Sequence, residues 1–148
     1  MFKKILLPLD GSEFSERAFE TGMELAQQLG IPIVLTHIID QTMFENILAP
    51  VSGGPVEMAK PVYDDIQEKA EDFLRQKEGV CKENGIKCET ILKMGHPANT
   101  VLALAKEMGT DLVVVGSHGR GRIAGLALGS ISYGIIHKAE GLSVLVVR

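Results

Sequence analysis

The residues best suited to chemistry form a glycine-rich stretch at 116–122, which reads Gly-Ser-His-Gly-Arg-Gly-Arg. The stretch follows an apolar run of strand length, and a glycine there has no Cβ to keep a ligand from the backbone. Further along, Gly129 and Ser130 open the last segment of helical character. Unpaired amides and the helix dipole make a helix start a natural seat for phosphate, and a serine there adds a hydroxyl donor. The spacing predicts one nucleotide that spans Gly116 and Ser130.

The rest of the chain alternates apolar runs of strand length with segments of helical period, a pattern typical of βαβ units and parallel sheets. A long helix is predicted from Val62 to just before Gly85. Ser12 and Gly30 are suited to begin and end the first helix, and Pro97 suits the first turn of a later one. The strands are predicted at 4–9, 31–39, 86–93, 111–115 and 142–147.

The predicted fold is a single α/β domain over residues 1–148, an open parallel sheet of five strands in the order 3-2-1-4-5 with helices on both faces. A chain of 148 residues has the length of one ordinary domain. Half-polar alternation favours an edge position for 86–93, whereas the wholly apolar 111–115 is typical of a central strand. Ligands of such sheets bind beyond strand ends whose connections leave to opposite faces. Asp10 and Gly116 should therefore flank one crevice.

The stretch 40–60 breaks any period, since it holds Pro50, Gly53, Gly54 and Pro55. We expect a long mobile loop there, and loops of that length in a compact domain are usually functional or disordered. This loop is the predicted surface for reporting to an unidentified protein partner.

Composition and charge narrow the class of partner. The net charge is -4 and the pI is near 5.6. A protein surface that binds nucleic acid or an anionic membrane needs clustered Lys and Arg, so neither is expected as a partner. The sequence has no long uncharged apolar run, so a membrane-spanning helix is not expected. Cys81 and Cys88 have no second pair of ligands nearby. They predict two half-buried thiols in a reducing cytoplasm, not a zinc site or a disulfide framework.

Several motifs in the right order resemble the universal stress protein family. Gly116, two residues, Gly119, nine residues and then Gly129-Ser130 reproduce that family's nucleotide-binding motif. The likeness also covers the first strand, 8–12 and 144–147. It implies an adenine nucleotide alpha hydrolase-like fold, a homodimer, and bound ATP or another adenine nucleotide such as AMP or ADP, with a divalent cation such as Mg²⁺.

The same resemblance implies a set of binding residues. In similar proteins the adenine is held by the strand end that here carries Ile38, and the ribose region lies near Pro8, Leu9, Asp10 and Gly116. The phosphates fall to Gly119, Gly129, Ser130, Ile131 and Ser132. Two positions depart from the family pattern: Arg122, where many relatives have a small residue, and Gly134, inside the last helix.

Other candidate residues keep two interpretations each. His118 lies in the glycine loop, where it either contacts phosphate or ribose or is an idle exposed ring. Arg120 either pairs with phosphate or is solvated, and Arg122 is the weaker of the two candidates. Asp10 either contacts the ligand, which we favour, or caps the first helix. No metal-ligand or nucleophile-base spacing links His37, His96 and His137.

Other nucleotide motifs fit less well. A Walker loop is absent, because no glycine-rich stretch ends in Gly-Lys followed by Ser or Thr. The run 119–124 resembles a dinucleotide fingerprint, but only one strand follows it, too little chain for the usual βαβ unit.

Three function classes remain open on the sequence. The first is a stress-response or signalling protein for which ATP acts as a switch. The second is a slow ATP hydrolase or nucleotidyl transferase, with Asp10 or His118 as the evident general bases. The third is a dimeric interaction module without nucleotide.

The apolar strand 144–147 would leave an unpaired edge at one side of the sheet. Such an edge predicts a homodimer that pairs through this C-terminal strand.

Overall fold

The computed structural model describes residues 1–48, 60–122 and 124–148, in which helices and strands alternate as the sequence predicts. The strands are β1 (Ile5–Pro8), β2 (Ile33–Asp40), β3 (Cys88–Gly95), β4 (Leu112–Gly116) and β5 (Ser143–Val147). The helices are α1 (Glu13–Leu29), α2 (Gln41–Leu48), α3 (Lys60–Glu83), α4 (Pro97–Glu107) and α5 (Ser130–Lys138). At least one helix separates each strand from the next, as parallel pairing requires.

The five strands form one parallel sheet in the order β3-β2-β1-β4-β5. Ile5 of β1 lies opposite Ile33 on one side and opposite Leu112 on the other. β3 is an edge strand, and every residue of the interior strand β4 is buried. The predicted fold class and strand order are confirmed.

The sheet separates two hydrophobic cores. Ile5 and Leu7 of β1 face one side, where they pack with residues of α1 and α3 such as Phe19 and Leu74. Leu6 faces the opposite side, in the core to which α4 and α5 contribute. Neighbouring strand residues point to opposite faces, so a strand covered on both faces must be apolar throughout. This explains the continuous apolar runs in the sequence.

The predicted helix ends are confirmed where local chemistry sets them. The Ser12 hydroxyl accepts a hydrogen bond from the Ser15 amide at 3.1 Å and caps α1. Gly30 follows α1 in the left-handed conformation with φ 65°, which glycine adopts without steric cost. Pro97 lies in the first turn of α4.

The expected long loop at 40–60 is wrong for its first part. β2 extends to Asp40, and Gln41–Leu48 form α2. The Asp40 carboxylate accepts from the Thr42 amide at 2.9 Å, which satisfies a first-turn donor of that helix. Residues 49–59 lie outside those that the structure describes, so the expectation for them stays a prediction. Within the described ranges, no helix combines the length and the apolar character needed to cross a membrane.

Candidate functional site

Two strand ends meet at the carboxyl edge of the sheet. β1 and β4 are direct neighbours, and α1, which follows β1, packs on the opposite face from α5, which follows β4. Such a divergence opens a crevice beyond the strand ends. The structure places Asp10 just beyond the end of β1 and Gly116 at the end of the neighbouring β4, and a shared ligand crevice there stays a prediction.

The Asp10 carboxylate faces two ways. Its Oδ1 accepts from the Ser12 amide at 2.8 Å and so shapes the turn into α1. Its Oδ2 faces the glycine loop, because a Cβ built on Gly119 would lie 2.7 Å from that oxygen. The helix cap that we considered the alternative role for Asp10 is made by Ser12 instead. Asp10 shapes the turn before the helix and still presents one oxygen to the loop.

Gly116 is required by packing rather than by ligand access. A Cβ at this position would lie 2.7 Å from the carbonyl carbon of Phe14 and 2.8 Å from its oxygen. The first turn of α1 occupies that space, so the expected reason for a glycine here is wrong. Its absent side chain lets α1 approach the end of β4.

The chain after β4 returns to the strand end at Gly129. The Gly129 amide donates to the Ser117 carbonyl at 2.7 Å. The Ser132 hydroxyl donates to the same carbonyl at 2.8 Å and is buried. These bonds place the start of α5 beside Gly116. They also commit the Ser132 hydroxyl, so only the amide of this residue can reach a phosphate.

The start of α5 offers backbone donors. Gly129 is the N-cap residue, and among the described residues no side chain makes a capping hydrogen bond there. The first turn carries no acidic residue, so nothing in it neutralises the positive end of the helix dipole. Ser130 is exposed and Ile131 is half-buried. The arrangement fits an anion held by the amides of Ser130, Ile131 and Ser132.

His118 is neither idle nor exposed. The ring is only 9% exposed and packs against Phe14, with 5.2 Å between ring centroids. Its Nε2 donates to the Leu126 carbonyl at 3.0 Å, and its Nδ1 lies 3.0 Å from the Ser117 hydroxyl, which then donates to it. Both ring nitrogens hold the loop together. The interpretation as an exposed ring is wrong, and a direct nucleotide contact stays a prediction.

Two arginines of the loop lie over the start of α1. Arg120 Nη2 would be 2.6 Å from a Cβ built on Gly11, so the guanidinium covers the residue after Asp10. The Arg122 guanidinium lies 5.4 Å from the centre of the Phe14 ring. Both arginines are exposed. They add positive charge next to the crevice, in reach of an anionic ligand.

The apolar residues predicted to contact the base and ribose lie at the same edge. Ile38 is half-buried and packs against the core shared by α4 and α5. Pro8 is paired with Thr36 in the sheet register, and the Leu9 amide donates to the Thr36 carbonyl at 2.8 Å. The ends of β1 and β2 are thus fixed side by side.

Comparison with known proteins decides the family. The model of the universal stress protein family matches residues 1–148. The chain belongs to the universal stress protein family. The universal stress protein YxiE of Bacillus subtilis is 30% identical over 152 residues that cover 100% of both proteins.

Solved structures agree with this assignment. MJ0577 of Methanocaldococcus jannaschii superposes with a TM-score of 0.86 at 26% identity, over 99% of this chain and 96% of its own. A universal stress protein in complex with cAMP superposes with a TM-score of 0.67 at 23% identity, over 99% and 97% of the two chains. The universal stress protein of Archaeoglobus fulgidus in complex with dAMP superposes with a TM-score of 0.69 at 17% identity, over 100% of this chain and 98% of its own. This chain has the fold of these proteins.

His37 supports this universal stress protein's crevice in a way that the sequence analysis missed. Its Nδ1 donates to the Leu9 carbonyl at 2.7 Å, directly before Asp10, and its ring packs edge-on against Phe73 at 6.0 Å between centroids. The strand alternation was a usable signal, because Ile38 faces the α4 side and His37 must face the α3 side. His37 thereby fixes the end of β1.

Among the residues that the structure describes, a cavity lies at the carboxyl ends of β2 and β3. It has a volume of about 380 Å³ and is lined by Lys93, Gly95 and the α4 side chains that follow, with Gln41 of α2. Gly116 and Ser130 do not line it. We base the site on the strand ends and the α5 amides, because those groups have the chemistry of a phosphate seat.

Proposed function

We propose that this universal stress protein binds an adenine nucleotide, ATP above all, across the ends of β2, β1 and β4. The start of α5 carries the proposal, because amides without a side-chain cap in the described structure lie beside the end of β4. Such amides, with the helix dipole behind them, favour phosphate. The relatives solved with cAMP and dAMP support an adenine nucleotide as the class of ligand.

We assign the adenine to the half-buried wall around Ile38. The ribose falls to Pro8, Leu9, Asp10 and the backbone of Gly116. The phosphates fall to the amides of Gly119, Ser130, Ile131 and Ser132, with Arg120 as the side chain that adds charge. Gly129, whose own amide donates to the Ser117 carbonyl, opens the helix beside them. His118 acts through the loop, since both of its ring nitrogens already bind protein groups. It positions the backbone between Ser117 and Gly129.

The residues present also fit a nucleotide that carries Mg²⁺. Hard divalent cations take oxygen ligands, and Mg²⁺ usually combines one or two carboxylates with substrate phosphates. Asp10 presents one carboxylate oxygen to the loop that approaches the phosphate seat. When bound, the cation would neutralise phosphate charge, and Asp10 would orient it.

We propose a switch as the role of the nucleotide. The described loop residues, 117–122 and 124–129, contact both the phosphate seat and the start of α1, through His118 and Arg122 on Phe14. Occupancy of the seat therefore changes how the loop packs on α1. The protein partner that would sense this change stays unidentified.

We further propose a cytoplasmic homodimer. β5 is an edge strand with Leu145 37% exposed on the sheet face towards α1, and on the other face α5 exposes Tyr133 and Ile136. An edge strand with exposed apolar side chains near it on both faces is suited to pairing with a second copy. The free thiols of Cys81 and Cys88 are typical of a reducing compartment.

Titration calorimetry with ATP, ADP and AMP, each with and without Mg²⁺, tests the site with the variant Ser130→Asp. Aspartate suits the first turn of a helix, so the fold is retained while its charge opposes the phosphates. We expect the affinity for ATP to fall at least about tenfold, which corresponds to roughly 1.4 kcal/mol of repulsion. Mass spectrometry of the nucleotide released from freshly purified protein identifies the natural occupant.

Gly79→Asp is the matched control, since it adds the same charge on α3, far from the seat. In the part of the chain that the structure describes, a Cβ at Gly79 meets no atom within 4 Å. This variant should bind ATP like the wild type. Equal losses in both variants, or no heat with any nucleotide, would contradict the proposal. If Ser130→Asp still releases phosphate from ATP, the hydrolysis does not occur at this site. If the wild type binds ATP without hydrolysing it, the result supports the role of the nucleotide as a switch.

A further inference from the structure

The turn between α3 and β3 brings the two cysteines together. Cys81 lies in the last turn of α3, and Cys88 is the first residue of β3. The Ile86 amide donates to the Cys81 carbonyl and the Gly85 amide to the Lys82 carbonyl, both at 3.0 Å, with Gly85 at φ 70°. This pair of bonds is a Schellman motif, which ends a helix and reverses the chain. The reversal carries Cys88 back alongside the end of α3.

Both thiols face the same hydrophobic core. Cys81 is fully buried in the core between the sheet and helices α1 and α3, and the half-buried Cys88 packs against that core. Cys88 lies opposite Ile33, which belongs to the same core. The turn and the shared core place the two thiols side by side, and the Cys88 thiol also donates to the Glu89 carbonyl at 3.8 Å. Hydrogen bonding with Cys88 lowers the pKa of Cys81, and the same neighbour, together with burial, raises the pKa of Cys88.

The pair is accessible from one side. Cys88 is partly exposed, and it begins β3, an edge strand of the sheet. A small oxidant can reach the pair at this end of the strand. Cys81 is then the neighbouring sulfur that can complete a bond.

We propose that Cys81 and Cys88 form a reversible intramolecular disulfide when the protein meets a hydroperoxide. One thiol takes an oxygen atom from the peroxide, whose O–O bond breaks, and becomes a sulfenic acid while water or an alcohol leaves. The second sulfur attacks the first, the S–S bond forms, the S–O bond breaks and a second water leaves. The peroxide gains two electrons and the thiol pair loses two. A dithiol reductant reverses the step.

The disulfide closes a ring of eight residues and fastens the end of α3 to the edge strand. Disulfides in reducing compartments are usually transient and redox-sensing, which matches a pair held as free thiols. The nucleotide site has no part in this chemistry. The proposal therefore stands or falls independently of the proposed function.

Peptide mapping of the full chain after hydrogen peroxide treatment tests the proposal. Trypsin cleaves after Lys77, Lys82, Lys87 and Lys93, so a disulfide joins peptide 78–82 to peptide 88–93 while 83–87 is released. Neither joined peptide contains methionine, so methionine oxidation does not disturb the result. We expect the joined pair from protein that runs as a single chain on a denaturing, non-reducing gel. Dithiothreitol should separate it.

The same treatment in urea is the control for the chemistry, because an unfolded chain lets both thiols react freely. A joined pair that forms only in urea would overturn the proposal, since the fold would then hold the sulfurs apart. Joined peptides found only in covalent dimers, or a Cys88 oxidised to sulfonic acid beside an intact Cys81, would overturn it as well. In Cys88→Ser the buried Cys81 should stay reduced under conditions that oxidise the wild-type pair. If Cys81 is oxidised in this variant at the wild-type rate, the oxidant does not reach the pair through Cys88.

Discussion

The two carboxylate oxygens of Asp10 have different surroundings, and one substitution separates their roles. Asp10→Asn keeps an oxygen for the Ser12 amide, so we expect the free energy of unfolding to change by less than about 0.5 kcal/mol. The charge that would orient Mg²⁺ is lost, so the affinity for ATP in Mg²⁺ should fall about tenfold. Urea unfolding and calorimetry with and without Mg²⁺ measure the two effects. An equal loss of affinity without Mg²⁺ would assign Asp10 to the ribose alone.

Single residues were predictable from the sequence where their partners are close along the chain. Ser12 caps α1 through Ser15, three positions away, and such a cap depends on local chemistry alone. The environment of His118 depends on Phe14, from the opposite half of the chain. Nothing near His118 in sequence distinguishes a buried ring that holds the loop from an exposed one.

At the scale of elements, two helical glycines have opposite roles. A Cβ at Gly22 of α1 would lie 2.7 Å from Cδ1 of Leu7, a fully buried residue of β1. In the described structure a Cβ at Gly79 of α3 meets nothing within 4 Å. We expect Gly22→Ala to lower the free energy of unfolding by about 1 kcal/mol through overpacking, and Gly79→Ala to raise it by about 0.5 to 1 kcal/mol through helix propensity. Urea denaturation compares them, and a gain of stability in both variants would contradict tight packing of α1 on β1.

The start of β1 is fixed to the start of β4 by Asp111. Its carboxylate accepts from the Lys3 amide at 2.9 Å and from the Lys4 amide at 3.1 Å. Desolvation alone would raise the pKa of Asp111, but these backbone donors outweigh it and lower the pKa below its ordinary value of 3.8. A carboxyl whose pKa is lowered by folding stabilises the fold above the ordinary value, and this stability is lost as the pH falls through the folded value.

Asp111→Asn should therefore destabilise the protein at neutral pH and much less in acid. Asp111 is partly exposed, so solvent screens its charge and we expect a loss of no more than about 1 kcal/mol at pH 7. The difference between variant and wild type should be constant above about pH 5 and shrink below about pH 4. Urea unfolding at several pH values measures it. A difference that does not change with pH would assign the effect to geometry and not to charge.

α2 shows why one element was missed. The sequence 41–48 has apolar residues at Met43, Phe44, Ile47 and Leu48, a spacing that is compatible with two helical turns. Asp40 before it is a suitable cap, and its carboxylate does accept from the Thr42 amide. The prolines and glycines that follow dominated the interpretation of the whole stretch. A short helix next to a segment rich in proline and glycine can be predicted from sequence only if its N-cap residue is recognised.

At the scale of the whole molecule, the alternation of apolar and polar residues indicates which strands are covered on both faces. The wholly apolar 111–115 favoured an interior position and the alternating 86–93 favoured an edge, and the structure confirms both. The apolar 144–147 is nevertheless an edge strand, so the pattern alone does not determine the strand order. The loop 117–129 was less predictable, because its path depends on α1, on the end of β4 and on the start of α5 together. The residues of the motif could be identified from the sequence. That the side chains of Ser132 and His118 bond to protein groups could be seen only in the three-dimensional structure.

The second edge of the sheet carries the last prediction. β5 presents Leu145 at 37% exposure on the sheet face towards α1, and Tyr133 and Ile136 of α5 are exposed on the other face. If this edge pairs two copies, Leu145→Lys introduces like charges across the two-fold axis, and lysine on an edge strand opposes such pairing. We expect the wild type to sediment as a dimer at micromolar concentration and the variant to dissociate at least about tenfold more readily. Val80→Lys, on the exposed face of α3 at 36% exposure, is the control and should stay dimeric. A wild type that sediments only as a monomer, or a Leu145→Lys variant that dimerises as well as Val80→Lys, would show that β5 does not join the copies.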